Sequence, residues 1–388
     1  MNVLVVNAGS SSLKYQLLNT KSGEVFAKGN CERIGIDGSF IGHEEMGVKG
    51  KIEVDLPDHK TAIGHVFDLL KTVDQTIEGI GHRVVQGGWY FPESAVVTDE
   101  TLAWVREVAP LAPLHNYAEA DVIEICRDMF PDLGNVIVPD TAFHYNMPER
   151  AWRYALPREV ADSLHIRKYG AHGTSHRFIW RTVDELTDHT THKLVSCHLG
   201  SGASLCAIED GRCMDTTMGL TPLDGLVMGT RCGTVDPATV FYLNRVGGYS
   251  IDEIDTMMNK KSGLLGVSGV SSDSRDVFAG AAEGNEHCAM AIKIFAYRVG
   301  QLFAEMAASM DGVDTMVFTA GIGENSVDMR AAIAERVAWM GVKIDLDLNA
   351  VRSDEPRVIS TPDSKIKVLI VPTNEELMIA LDVEALLG

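Results

Sequence analysis

The chain has 388 residues, 45% of them hydrophobic, with 54 acidic against 34 basic side chains and a formal net charge of −20. That length exceeds what one ordinary core holds and points to two domains. So negative a surface excludes nucleic acid as a partner, and no charge-free run of about 18 apolar residues is present to span a membrane.

In chain order, the apolar opening Met1–Asn7 is too short for a signal peptide, lacks a basic flank, and reads as a buried strand. Residues 3–18 (VLVVNAGSSSLKYQLL) predict a strand, a Gly/Ser turn and a second alternating strand, together a β-hairpin. Capped helical spacing predicts helices over 99–108 and 116–129, and NVIVPD predicts a strand ending at Asp140. Residues 194–208 (LVSCHLGSGASLCAI) repeat the pattern of 3–18, so the chain reads as a duplication whose second copy starts near residue 150. The expected domains are 1–149 with 375–388, and 150–374. Residues 286–309 predict a long helix, apolar nearly all round, buried between layers or at a subunit interface. Strands are expected at 313–318 and 367–371. Duplicated mixed elements predict a two-domain α/β protein with a cleft between its halves. Seven scattered cysteines without a CxxC pair read as reduced thiols of a cytoplasmic protein, not as a disulfide framework or a zinc site.

Three small-residue turns could carry chemistry. Asn7-Ala8-Gly9-Ser10-Ser11-Ser12-Leu13-Lys14 offers backbone N–H groups, hydroxyls, an amide and an ammonium to a phosphate, or is simply a tight hairpin turn. His198-Leu199-Gly200-Ser201-Gly202-Ala203-Ser204 makes the same offer. Thr319–Ser326 (TAGIGENS) leaves a strand for a helix, a setting for a base or ribose against bare backbone and equally for a plain helix N-terminus. No Walker A sequence occurs, and no GxGxxG opens a helix. Arg83 and Arg231 lie in Gly-rich, otherwise apolar stretches, where an arginine binds a carboxylate, a phosphate or a structural acid. Asp140 and Glu375/Glu376 follow apolar strands, as magnesium anchors do, and as an N-cap or first-turn acids do. His172 and His176, four apart, read as hydrogen-bonding groups, because no third metal ligand of matching softness lies nearby.

Taken together, NAGSSSLK (7–14), GHRVVQGG (81–88), PLAPLHN (110–116), PDTAFH (139–144), YGAHGTSH (169–176), HLGSGAS (198–204), DTTMGLTPLDGLVMGTRCG (215–233), TAGIGENS (319–326) and TNEE (373–376) resemble the acetate kinase family. That family belongs to the acetate and sugar kinase, heat-shock chaperone and actin superfamily. The motifs span the whole chain in the family order. The resemblance implies duplicated RNase H-like (actin-like ATPase) domains flanking a central active-site cleft, a homodimer, and reversible phosphoryl transfer between ATP and acetate with magnesium, or manganese in its place. It implies that Arg83 and Arg231 hold the carboxylate and the transferring group, that His172 donates to that group, and that Asn7 acts near the phosphates. Asn7, Asp140 and Glu375 would anchor the metal. Ser10, Ser12, Lys14, His198, Gly200, Ser201 and Gly202 would meet phosphates, and Gly321, Ile322, Gly323, Glu324 and Asn325 the adenosine. Val85, Leu114, Ala171 and Pro222 would line the acyl pocket. The chemistry agrees: a carboxylate needs no general base, and what must be managed is repulsion between two anions.

Three positions depart from the family pattern. Ala171 stands where the family usually has Phe, which opens space for propionate or a longer acid. Ser201 replaces a usual Asn and Thr234 a usual acid, which bears on ATP against another phosphoryl donor such as pyrophosphate. The neighbouring alternative is a propionate or short-chain carboxylate kinase. The remote one is an actin- or chaperone-like ATPase switch, against which Arg83, Arg231 and His172 argue. A sugar kinase would need an Asp base for a hydroxyl, and none is clearly placed.

Overall fold

A computed structural model describes residues 1–388. The chain divides into two compact units, Met1–Tyr145 with Asn374–Gly388, and Asn146–Thr373.

The first unit is built on an eight-stranded sheet of order β5-β4-β3-β2-β1-β6-β8-β7. Its strands are β1 (Asn2–Ala8), β2 (Ser12–Asn19), β3 (Val25–Glu32), β4 (Phe40–Glu45), β5 (Val48–Glu53), β6 (Gly79–Val84), β7 (Ala95–Val96) and β8 (Gly134–Pro139). The run Val3–Val6 is continuously apolar because both faces of β1 are covered. Val3 and Val5 join Val136, Val138, Ile379 and Val383 on one side. Leu4 and Val6 join Ala62, Ile63 and Val66 of α1 (His59–Leu70) on the other. Gly81 lets the C-terminal helix (Glu375–Leu387) approach closely: a Cβ there would stand 2.6 Å from Ile379 Cγ2. Helices α2 (Asp99–Glu107) and α3 (Asn116–Met129) form at the expected spans, α2 behind a Thr98/Thr101 capping box. Strands β1, β6 and β8 run parallel. Their C-terminal ends bring Asn7, Arg83 and Asp140 to one edge of the sheet, where open α/β sheets bind ligands.

The second unit has a six-stranded sheet of order β11-β10-β9-β12-β14-β13. Its strands are β9 (Lys193–Leu199), β10 (Ala203–Glu209), β11 (Arg212–Thr216), β12 (Thr315–Thr319), β13 (Arg357–Val358) and β14 (Lys367–Ile370). An antiparallel hairpin followed outward by two parallel strands occurs in each unit: β2-β1-β6-β8 in the first, β10-β9-β12-β14 in the second. This repeats the duplicated hairpin pattern in three dimensions. The helices that concern the site are α4 (Gly173–Leu186), α5 (Ala238–Arg245), α6 (Glu286–Ala308), α7 (Ala320–Asn325) and α8 (Val327–Val337). The long helix α6 is one-sided rather than apolar all round in its packing. Phe295, Val299, Phe303 and Met306 enter the core, while Met290 and Tyr297 are half exposed. The turn expected at 319–326 is itself a short helix, α7, entered through Ala320 in the left-handed region at φ 63°.

Candidate active site

In the first unit the polar ends of three strands converge on Arg83. Asp140 Oδ2 accepts from its Nη2 at 2.5 Å, Asn7 Oδ1 accepts from Nη1 at 3.4 Å, and Glu375 Oε2 lies 3.9 Å from Nε. Burial works against the charge on Arg83, but Asp140, Glu375 and Glu119 outweigh it and hold the guanidinium above its usual pKa. Burial likewise pushes the Glu375 carboxyl up to about 7 against the pull of Arg83, with Asp140 and Glu376 adding to the rise. Glu375 opens the C-terminal helix behind the N-cap Asn374, so it is a first-turn acid and a member of this cluster at once. Asp140 is no helix cap; it ends the strand and pairs with arginine. Asn7, Asp140 and Glu375 supply hard oxygen donors, and one guanidinium faces three recessed carboxyl groups. That donor set suits a hard divalent cation.

The hairpin turn beside Asn7 is tight. Gly9 N–H donates to Ser12 C=O at 2.8 Å, and His59 Nε2 contacts the Gly9 carbonyl at 2.8 Å. Lys14 pairs with Asn7 in the strand register and, like Ser10, is exposed; Ser12 is half-buried. Val85 is buried, whereas Leu114 is 58% exposed in the loop before α3.

In the second unit the histidine motif folds onto the β9–β10 hairpin. His172 sits at φ 56° as the N-cap of α4, its Nδ1 2.9 Å from Ser204 Oγ and its ring stacked on His198 with centroids 4.1 Å apart. His176 contacts Ser196 Oγ through Nδ1 at 2.9 Å and Ser204 Oγ through Nε2 at 2.8 Å, while His198 Nδ1 lies 2.8 Å from Ser175 Oγ. The two histidines four apart are thus hydrogen-bonding groups. Gly202 borders both His172 and Arg231: a Cβ there would stand 3.4 Å from His172 Nε2 and 3.7 Å from Arg231 Nη1. Arg231 Nη1 donates to the Pro222 carbonyl at 3.0 Å and contacts Met228 Sδ at 3.5 Å. No carboxylate pairs with it, and burial lowers its pKa. Gly200 is half-buried and Ser201 exposed; Ala171 is buried in the cluster that contains Met218 and Met228.

The α7 segment is held from within. Glu324 Oε1 accepts from the N–H groups of Ala320 (2.7 Å) and Thr373 (3.1 Å), so its carboxylate is engaged in shaping the turn. Buried Arg330 donates to the carbonyls of Gly323 and Glu324 at 3.0 and 2.8 Å. Asn325 Nδ2 donates to the Gly321 carbonyl at 3.0 Å. Ile322 and Gly323 are buried; Gly321 is exposed, and a Cβ built there meets nothing within 4 Å. Thr234 Oγ1 donates to Asp224 Oδ1 at 2.6 Å. Sequence reasoning took Ser204 only as the last member of the 198–204 turn and passed over Glu119 and Arg330. Each lies in a helix or strand whose apolar pattern is complete without it, so only its burial marks it.

The profile of the Acetokinase family matches residues 2–381. The acetate kinase of Halothermothrix orenii is 48% identical over 392 residues, 98% of each chain. Acetate kinase 2 of Clostridium perfringens is 48% identical over 394 residues, again 98% of each. Among solved structures, Porphyromonas gingivalis acetate kinase matches with a TM-score of 0.94 at 40% identity over all of both chains. A propionate kinase from Francisella tularensis matches with a TM-score of 0.94 at 38% identity over 99% of both.

Proposed function

The chain belongs to the acetokinase family, and from that premise we propose how its residues divide the labour of phosphorylating acetate with ATP. The reaction joins a carboxylate, already ionised at neutral pH, to a phosphoryl group that is itself anionic. No base is needed; the charge that gathers as the two anions meet must be met by fixed donors.

Arg231 is the residue we assign first, and its unpaired, recessed guanidinium is the observation that carries the reading. A half-buried cation whose partners are a carbonyl and a sulfur rather than a carboxylate keeps its charge uncompensated until an anion arrives. His172, oriented through Nδ1 by Ser204, would donate from Nε2, the edge bordering Gly202, to the transferring group. Arg83 would meet the same anionic chemistry from among its carboxylates. Asn7, Asp140 and Glu375 would hold magnesium, with manganese the alternative, and the bound cation would neutralise phosphate oxygens. Ser10, Ser12, Lys14, His198, Gly200, Ser201 and Gly202 would meet phosphates through hydroxyl, ammonium, imidazole or backbone N–H groups. The exposed, open Gly321 suits the approach of adenosine to Ile322, Gly323 and Asn325. Glu324 would serve this turn by shaping it. Val85, Leu114, Ala171 and Pro222 would border the acyl methyl.

Ala171 bears on chain length, and we propose that propionate is accepted. The measurement is kcat/KM for acetate, propionate and butyrate with ATP and magnesium. Propionate is expected within tenfold of acetate, since one methylene in a pocket that admits it is worth about 1–3 kcal/mol. A propionate value over a hundredfold below acetate, unmoved by Ala171→Phe, would sink the idea. A carboxylate-independent ATPase rate equal to the total rate would instead favour the conformational-switch reading. Turnover with pyrophosphate in place of ATP tests the donor; ATP is expected to win, because the Gly321–Asn325 turn, open at Gly321, leaves room for an adenosine that pyrophosphate lacks.

We further propose a homodimer through the α5 face. That helix buries no residue, and Phe241, Tyr242, Val246, Tyr249 and Ile251 form an exposed apolar run. Tyr242→Glu is expected to shift the sedimentation coefficient to that of a monomer. A cytoplasmic setting agrees with seven cysteines that form no disulfide.

A further inference from the structure

Four consecutive backbone N–H groups beyond the end of β6 are each bonded to a side-chain oxygen. Val85 N–H donates to Glu119 Oε2 at 3.0 Å and Gln86 N–H to Asn116 Oδ1 at 3.2 Å. Gly87 N–H donates to Thr141 Oγ1 at 3.0 Å and Gly88 N–H to Gln86 Oε1 at 2.9 Å. Asn116 returns Nδ2 to the Gln86 carbonyl at 2.7 Å, so it grips that residue from both sides. A strand leaving its sheet loses ladder partners, and buried N–H groups must find others. Here the first turn of α3 supplies two of them, from Asn116 and Glu119, which are 0% and 1% exposed.

Glu119 is the unusual member. It is the one ionisable group among the four, and its second oxygen, Oε1, is buried with no hydrogen-bond partner. Burial pushes its carboxyl up to about 8 against the pull of Arg83.

We propose that Glu119 is a positioning residue for the acyl pocket, fixing through the Val85 N–H the segment that carries Val85 and Arg83. This rests on the reading that Val85 borders the acyl group of the substrate. A bond lost here lets the segment relax away from α3, and displacement of a substrate-bordering wall is read as altered KM and altered chain-length preference.

The test is full steady-state kinetics of the whole enzyme on acetate and propionate. Glu119→Gln keeps the acceptor and is expected within about twofold of the parent. Glu119→Leu removes it and is expected to raise KM for acetate about tenfold, leave KM for ATP within twofold, and move the acetate-to-propionate ratio of kcat/KM at least threefold. Glu119→Asp keeps the acid but shortens its reach; it is expected to move the same two quantities by about threefold and serves if the Leu variant does not fold. Val85→Ala is the control on the underlying reading and is expected to shift the ratio. If Val85→Ala shifts it while the Leu and Asp variants leave it alone, or raise both KM values equally, the positioning role is overturned. If Val85→Ala leaves the ratio unmoved, the pocket assignment fails and takes the proposal with it.

Discussion

Arg83 in the first unit has Asp140 at 2.5 Å, Glu375 at 3.9 Å and Glu119 within its field. Arg231 in the second is also recessed, yet its contacts are a proline carbonyl and a methionine sulfur. The pKa of the first is held up by its acids; that of the second is lowered by burial. The contrast separates two uses of one side chain. Arg83 is charge-balanced before any ligand arrives, so part of its contribution is to pair with the buried Asp140, 1% exposed. Arg231 is unbalanced, so its field is directed at whatever anion binds.

The comparison is broken or upheld most sharply by removing each arginine. Arg231→Ala is expected to lower kcat/KM for acetate by about a thousandfold, within the range for loss of a donor to transition-state charge, while the thermal midpoint stays the same or rises. Arg83→Ala is expected to lower kcat/KM by about a hundredfold and also to destabilise the protein by about 3 kcal/mol, because it removes an ion-pair partner of the buried Asp140. The double variant Arg83→Ala/Asp140→Ala should recover most of that stability but none of the activity. Equal losses of stability at both sites, measured by denaturant unfolding, would dissolve the distinction.

A smaller effect tests how His172 is held. Ser204 Oγ contacts both His172 and His176. Ser204→Ala removes a partner that orients His172 and is expected to cost about tenfold in kcat with KM for ATP little changed, the signature of an interaction made in the transition state. An unchanged kcat would mean that ring stacking on His198 suffices.

The sequence made the turns legible because Gly and Ser runs between apolar strands have few other uses: 7–14 and 198–204 are the hairpins of β1–β2 and β9–β10. The Arg83 cluster was legible only as separate pieces. Arg83 and Asp140 lie 57 positions apart in the chain, and the parallel β6–β8 register that joins them has no local signature. Strands β3 to β5 escaped notice because VFAKGNCE, FIGHEE and VKGKIE carry glycines and charges where one face is uncovered. Helix α5 escaped for the opposite reason: its apolar residues point outward, so no buried stripe marks it. Glu119 lies inside the helix expected over 116–129 with nothing local to mark it, and only the fold turns it inward.

The mildest test asks whether the first unit's buried ionisable groups tune stability with pH. His82 on β6, 2% exposed, contacts Asn135 Oδ1 through Nε2 at 2.7 Å. Burial lowers its pKa from 6.5 to about 4, against the raising effect of that hydrogen bond. Between these values the unfolded chain binds a proton that the folded one refuses. Stability from this group is therefore fully present above pH 6.5 and is lost as pH falls toward 4. Going from pH 7.5 to pH 5.0 should cost the parent about 2 kcal/mol through His82 alone. His82→Gln has no proton to gain, so its urea midpoint should fall less over the same interval. Parallel slopes for the two proteins would show that His82 does not link the first unit to pH, leaving the carboxyl cluster around Arg83 as the place to look.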